Sequence, residues 1–186
     1  MTALYRMPAE WEKHAATLLA WPHHKNDWPG RFEPIPWVYA EIIRYLTQHE
    51  RVRLVVKDQK EKAKAADVLK RAHAELNMVD FHIISTNRVW LRDSGPIFVK
   101  DAKGVKLLLD WRFTAWAKYP NHQRDDAVPK QLNKKYKLRR VQPMHKGKRV
   151  VLEGGSIDVN GKGTLLTTEE CLLSKIQCRN PGFRRE

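Results

Sequence analysis

Two acidic residues in matching surroundings hold the most chemistry in this chain. Asp93-Ser94-Gly95-Pro96-Ile97-Phe98-Val99 is answered, 60 residues on, by Glu153-Gly154-Gly155-Ser156-Ile157-Asp158-Val159. Each stretch opens with an acid, carries a glycine two positions later, and continues as Ile-x-Val at the alternating spacing of a strand. Each is followed by a turn and a second strand, Val105 to Leu109 in one case and Thr164 to Thr167 in the other. Carboxylates at equivalent places in two repeats can converge on one centre. The natural guest of such a pair is a planar cation, whose N–H groups meet carboxylate oxygens side by side. The pattern predicts a guanidinium site. From the residues alone a plainer outcome stays open, in which Asp93 pairs with Arg92 or another arginine and Gly154-Gly155 is only a tight turn.

The elements that must position these acids read as an α/β repeat. Ala15–Trp21 is a short apolar run closed by Pro22, a buried strand, and His23–Pro36 is a loop. Trp37–His49 is predicted helical, Arg51–Val56 a strand, and Lys57–Leu76 an amphipathic helix with Ala65, Leu69, Ala72 and Leu76 on one face. Val79–Ile84 is a strand, and Gly104 marks a hairpin between the first echo and Val105–Asp110. A loop with Trp111, Phe113 and Trp116 leads to a helix over Asp125–Lys137, then to strands at Arg140–Met144 and Arg149–Glu153. The second echo turns at Asn160-Gly161, a strong hairpin signal. Strand, helix, strand, hairpin thus occurs about twice at a period near 60.

With 186 residues the chain can bury a real core, and residues 1–186 are expected to form one domain. No apolar run approaches the roughly 20 residues that span a bilayer, and Met1–Glu10 has no apolar signal centre, so a cytoplasmic address is expected and no membrane partner. Cys171 and Cys178 lack zinc spacing, and His23 and His24 face apart in a loop or strand, so neither a metal nor a cofactor is expected. The net charge of +14 is concentrated: Lys118 to Arg149 holds eleven Lys or Arg against Asp125 and Asp126. A phosphate-binding surface would use such a cluster. With only Tyr119 and Tyr136 for stacking, the reading preferred is a solvated helix face, and no nucleic-acid partner is expected.

Trp90-Leu91-Arg92-Asp93-Ser94-Gly95-Pro96, Leu152-Glu153-Gly154-Gly155-Ser156 and Gly163–Leu172 resemble the agmatine deiminase and bacterial-type peptidylarginine deiminase family. Met7–Glu12 and Ala20-Trp21-Pro22 resemble its opening, and the likeness runs from Met7 to the end. The resemblance implies a pentein-type α/β propeller of five pseudo-symmetric units, of which this chain holds about the first three. It also implies a hydrolase converting agmatine to N-carbamoylputrescine and ammonia, a step of polyamine (putrescine) synthesis, or else arginine in peptides to citrulline. In that chemistry a cysteine thiolate attacks the guanidinium carbon, ammonia leaves, and water resolves the covalent thiouronium, while a histidine shuttles protons.

Carried over by position, Asp93 matches the catalytic acid that accepts guanidinium N–H groups, and Glu153 the second acid that grips and orients the head. Trp90 matches the aromatic able to lie against the cation's face. Gly154 and Gly155 let the backbone pass close to the substrate, and Trp116 is a further candidate for the pocket wall. The family's histidine motif and its nucleophilic cysteine have no counterpart in the matched stretch, and Cys171 and Cys178 stand at non-catalytic places. The chain is therefore expected to be a truncated or split form without deiminase activity of its own. Its partner is a small guanidinium compound, agmatine or an arginine side chain. Homo-oligomerisation of a full-length form is left open.

Overall fold

The computed structural model describes residues 5–185, so the outermost residues of the expected 1–186 domain, Met1 included, lie outside the described residues. The chain folds as two compact units: Lys13–Leu91 is one, and the residues through Glu12 join those from Arg92 onward in the other. Among the described residues no helix is long and apolar enough to cross a membrane, and no three His, Cys, Asp or Glu side chains cluster as a metal site requires.

The Lys13–Leu91 unit is a parallel sheet with two helices. Strands β1 (Ala16–Ala20), β2 (Arg51–Val56) and β3 (Val79–Ile83) lie in the order β1-β2-β3, both pairings parallel. Helices α1 (Ile35–Leu46) and α2 (Gln59–Arg71) supply the connections that parallel strands need. Val52, Leu54 and Val56 of the central strand meet Ala40 and Ile43 of α1, Ala65 and Leu69 of α2, and Trp21 in one apolar cluster. The start of α2 is set by reciprocal capping. Asp58 Oδ1 accepts the Glu61 N–H at 2.7 Å, and Glu61 Oε2 accepts the Lys57 N–H at 2.7 Å. The helix ends before the predicted Leu76 because His73 turns left-handed (φ 57) and the Ala74 N–H bonds back to Leu69 O.

The other unit carries both echoes. A short helix α3 (Leu91–Ser94) leads into the antiparallel hairpin β4 (Ile97–Lys100) and β5 (Lys106–Leu109). The helix predicted over Asp125–Lys137 forms as two pieces, α4 (Gln123–Asp126) and α5 (Val128–Tyr136). Pro129 opens α5, its missing N–H tolerated only in a first turn, while the Asp126 carboxylate leaves the helix to accept the Phe113 N–H at 2.8 Å and to pair with Arg149. Lys130, Lys134 and Lys135 on α5 are exposed. Strand β6 (Arg139–Val141) then joins β5 in parallel.

The strands expected at Arg140–Met144 and Arg149–Glu153 shrink to β6 and a two-residue pair, β7 (Met144–His145) with β8 (Lys148–Arg149). Val151 makes only a single bridge to Arg112. Among the described residues no strand continues that ladder, and Val151 takes a side-chain partner instead: Asn180 Oδ1 accepts its N–H at 2.9 Å and Asn180 Nδ2 donates to its carbonyl at 2.8 Å. The second echo forms the hairpin β9 (Ile157–Val159) and β10 (Leu165–Thr167), followed by α6 (Glu169–Leu173).

The likeness of the two hairpins extends into their turns. Asp101 Oδ1 accepts the N–H groups of Lys103 and Val105, and Asn160 Oδ1 accepts those of Lys162 and Thr164. Three residues after each Asx stands a left-handed glycine, Gly104 (φ 81) and Gly163 (φ 100).

Candidate active site

Both acids of the echoes lie in the same compact unit and close enough to sense each other's charge. Asp93 sits near the end of α3, partly buried, and its Oδ1 accepts the Gly155 N–H at 3.1 Å. Its second neutral donor is the Trp116 side chain. Glu153 is buried and precedes the short 3-10 turn Gly154–Ser156. The turn is closed on its own carbonyl, which accepts Ser156 N–H at 3.0 Å and Ser156 Oγ–H at 2.6 Å.

The glycine pair fits the first echo. A Cβ on Gly154 would overlap the Arg92 carbonyl oxygen, and one on Gly155 would overlap Asp93 Oδ1. The close approach that these glycines permit is therefore to Arg92 and Asp93, which is what brings the two acids together.

The electrostatics follow from burial. Loss of water pushes the Asp93 carboxyl up, opposed by the Gly155 N–H, the Trp116 side chain and the Arg92 and Arg179 guanidiniums. Burial likewise raises Glu153; Arg179 opposes that rise, and the negative charge of Asp93 adds to it. The open alternative, an Arg92–Asp93 ion pair, is not what forms. Arg92 pairs with Glu10 and, at 3.6 Å, with Asp158.

Trp116 owes its place to an unusual loop. Ala115, Trp116 and Ala117 are three consecutive left-handed residues (φ 46, 60 and 53), none of them glycine. Such backbone is strained by order 1 kcal/mol or more per residue. The indole is wedged edge-on against Phe113 and Tyr119, with ring centroids 5.4 and 6.1 Å away. The sequence names this tryptophan only as a candidate wall and carries no sign of its bond to Asp93. A residue that the sequence reading misses is Arg179, whose Nε donates to Glu153 Oε1 at 3.2 Å. An arginine 26 positions away, in an Asn-Pro-Gly turn, gives no periodic or motif signal. Trp90 stands in the Lys13–Leu91 unit and is about half exposed.

Two neighbouring carboxylates, a partly buried Asp93 fixed by backbone and indole donors and a buried Glu153 fixed by Arg179, are suited to hold a planar cation through charge-assisted hydrogen bonds. Comparison with known proteins gives the same direction. A profile of the Porphyromonas-type peptidyl-arginine deiminase family matches residues 6–186. The chain is 35% identical over 189 residues to the agmatine deiminase of Ectopseudomonas mendocina, covering 98% of this chain and 48% of that protein. It is 36% identical to the agmatine deiminase of Pseudomonas aeruginosa, covering 95% and 46%. Among solved structures it is similar to a substrate-bound agmatine deiminase of C. jejuni, with TM-score 0.80, 31% identity and coverage of 97% of this chain and 50% of that one. The agmatine deiminase of Enterococcus faecalis matches with TM-score 0.83 and 29% identity over 98% and 48%. The chain spans about half the length of the curated relatives it matches. Mixed α/β architecture, echoed acids and a family match over nearly all residues agree: this chain belongs to the Porphyromonas-type peptidyl-arginine deiminase family.

Proposed function

We propose that this chain carries the guanidinium-holding part of an agmatine deiminase, the enzyme that hydrolyses agmatine to N-carbamoylputrescine and ammonia in putrescine synthesis. The observation that supports it is the meeting of Asp93 and Glu153 across the Gly155 N–H contact. In this reading Asp93 accepts two guanidinium N–H groups and fixes the plane of the carbon for attack. Glu153 grips the same head from the second repeat. Gly154 and Gly155 let the backbone of the second repeat pass close to Arg92 and Asp93, beside the guest. The 1–186 stretch is part of one domain, about three units of a five-unit propeller, with a cytoplasmic address. Agmatine is preferred as the guest because the relatives above bear that name. The family's own description favours a second guest, arginine within peptides.

No cysteine of this chain is assigned as nucleophile, so the deciding measurement is binding. Calorimetry with agmatine and with N-acetyl-arginine amide is expected to give heat with agmatine first and to lose it in Asp93→Ala. A folded chain that binds neither compound ends the reading. Ammonia release by the chain would bring Cys171 or Cys178 back as the attacking thiol.

A further inference from the structure

Arg179 is built into the acid pair more firmly than a chance surface contact. Its Nε reaches Glu153 Oε1 at 3.2 Å and its Nη1 donates to Gln177 O at 3.0 Å. The two charged side chains are only 8% and 4% exposed. The next residue, Asn180, clasps both backbone groups of Val151, two positions before Glu153. The Arg179 side chain and its neighbour Asn180 are therefore tied separately to the segment that presents Glu153. So buried and so tied, the guanidinium is no displaceable plug.

Local charge supplies the reason for it. The charged groups facing Asp93 and Glu153 are Arg179, Arg92 and each other, while Trp116 and the Gly155 amide are neutral donors. Arg92 is drawn off to Glu10 and Asp158. Two carboxylates and one fixed guanidinium sum to a single negative charge, the complement of one incoming guanidinium. Without Arg179 the buried Glu153 would lose the guanidinium that opposes both its burial and the charge of Asp93, and it would hold its proton to higher pH.

We propose that Arg179, held by the Asn180–Val151 clasp, is a positioning residue that fixes Glu153 and trims the acid pair to the charge of one guanidinium guest. The identity of the guest rests on the function proposed above, but the charge-setting role does not.

The test follows the carboxyl carbons of the full chain by NMR through a pH titration, with Glu153→Gln and Asp93→Asn assigning the signals. In Arg179→Met the Glu153 midpoint is expected to rise by at least one pH unit, and in Arg179→Lys by less than half as much. The pH at which agmatine binding falls to half should rise alongside. An unmoved midpoint in folded Arg179→Met overturns the proposal. Should Arg179→Met fail to fold, the double variant Glu153→Gln/Arg179→Met decides. Its folding supports the proposal, since only the unbalanced acid was at fault, and its failure to fold overturns it, because Arg179 then acts through packing. Absence of agmatine binding by the wild type at every pH removes the guest from the proposal, while the titration still decides the charge-setting role.

Discussion

The two echoes carry the same sequence device and solve its electrostatic problem in opposite ways. Asp93 is partly exposed and stabilised by neutral donors, the Gly155 N–H and the Trp116 side chain. Glu153 is almost fully buried and stabilised by a cation, Arg179. The difference teaches that one acid keeps its full charge for a guest while the other shares its charge with a fixed cation. A duplicated motif thus yields an asymmetric pair, and asymmetry is what a site needs if one carboxylate is to bind and the other to orient.

The largest effect expected from breaking that asymmetry is at Glu153. Glu153→Gln leaves a buried Arg179 without its counter-ion, a loss of about 3–5 kcal/mol in unfolding free energy, measured by urea titration. A loss below 1 kcal/mol would mean the pair behaves as a surface contact. The glycines come next. Gly154→Ala drives a methyl into the rigid Arg92 carbonyl and should destabilise by about 1–3 kcal/mol. Gly155→Ala meets the movable Asp93 side chain, so it should lower stability less and agmatine affinity more; equal effects on both readouts would erase the distinction.

Ala117→Gly sharpens the Asp93 side of the comparison. It relieves a left-handed alanine (φ 53) beside Trp116 and should add about 1 kcal/mol, or roughly 2–4 °C in Tm. The smallest expected change is Asp93→Asn. Burial raises the Asp93 carboxyl above its ordinary 3.8, so the native state keeps the proton to higher pH than the unfolded chain does. Its contribution to stability is therefore fullest below that ordinary value and falls as pH rises through the raised one. Removing the acid should make the protein slightly more stable at neutral pH, by under about 1 kcal/mol given its partial exposure, and should flatten that pH slope. Thermal melts at several pH values would detect it, and a destabilised Asp93→Asn would contradict this sign.

Much of the architecture was legible because hydrophobic period and turn chemistry are local. The three parallel strands, α1, α2 and both hairpins stand within a few residues of where the sequence puts them. The early end of α2 is a local miss, set by the left-handed His73; the others are tertiary. Arg149–Glu153 reads as a strand, yet Val151 is satisfied by a side chain that arrives from Asn180. The helix over Asp125–Lys137 is divided because Asp126 is needed by Phe113 and Arg149. At the site, the two acids and two glycines were visible as a repeated pattern, and their roles are those proposed above. Trp116's bond and Arg179's pairing depend on a strained loop and a distant turn, which no window of neighbouring residues encodes.

The Asn180–Val151 clasp has one more consequence, for how this chain tolerates change in length. It draws together two points 29 residues apart, and the whole β9–β10 hairpin and α6 lie within the loop so closed. Because loop entropy grows only with the logarithm of length, residues inserted at the tip near Lys162 would barely weaken the closure. They would leave the knot at its base where it is. Extra length is thus tolerated by the closure itself, while Gly161, packed against Ala9 and Glu12 with its carbonyl accepting from Arg6, limits where in the tip it can be placed.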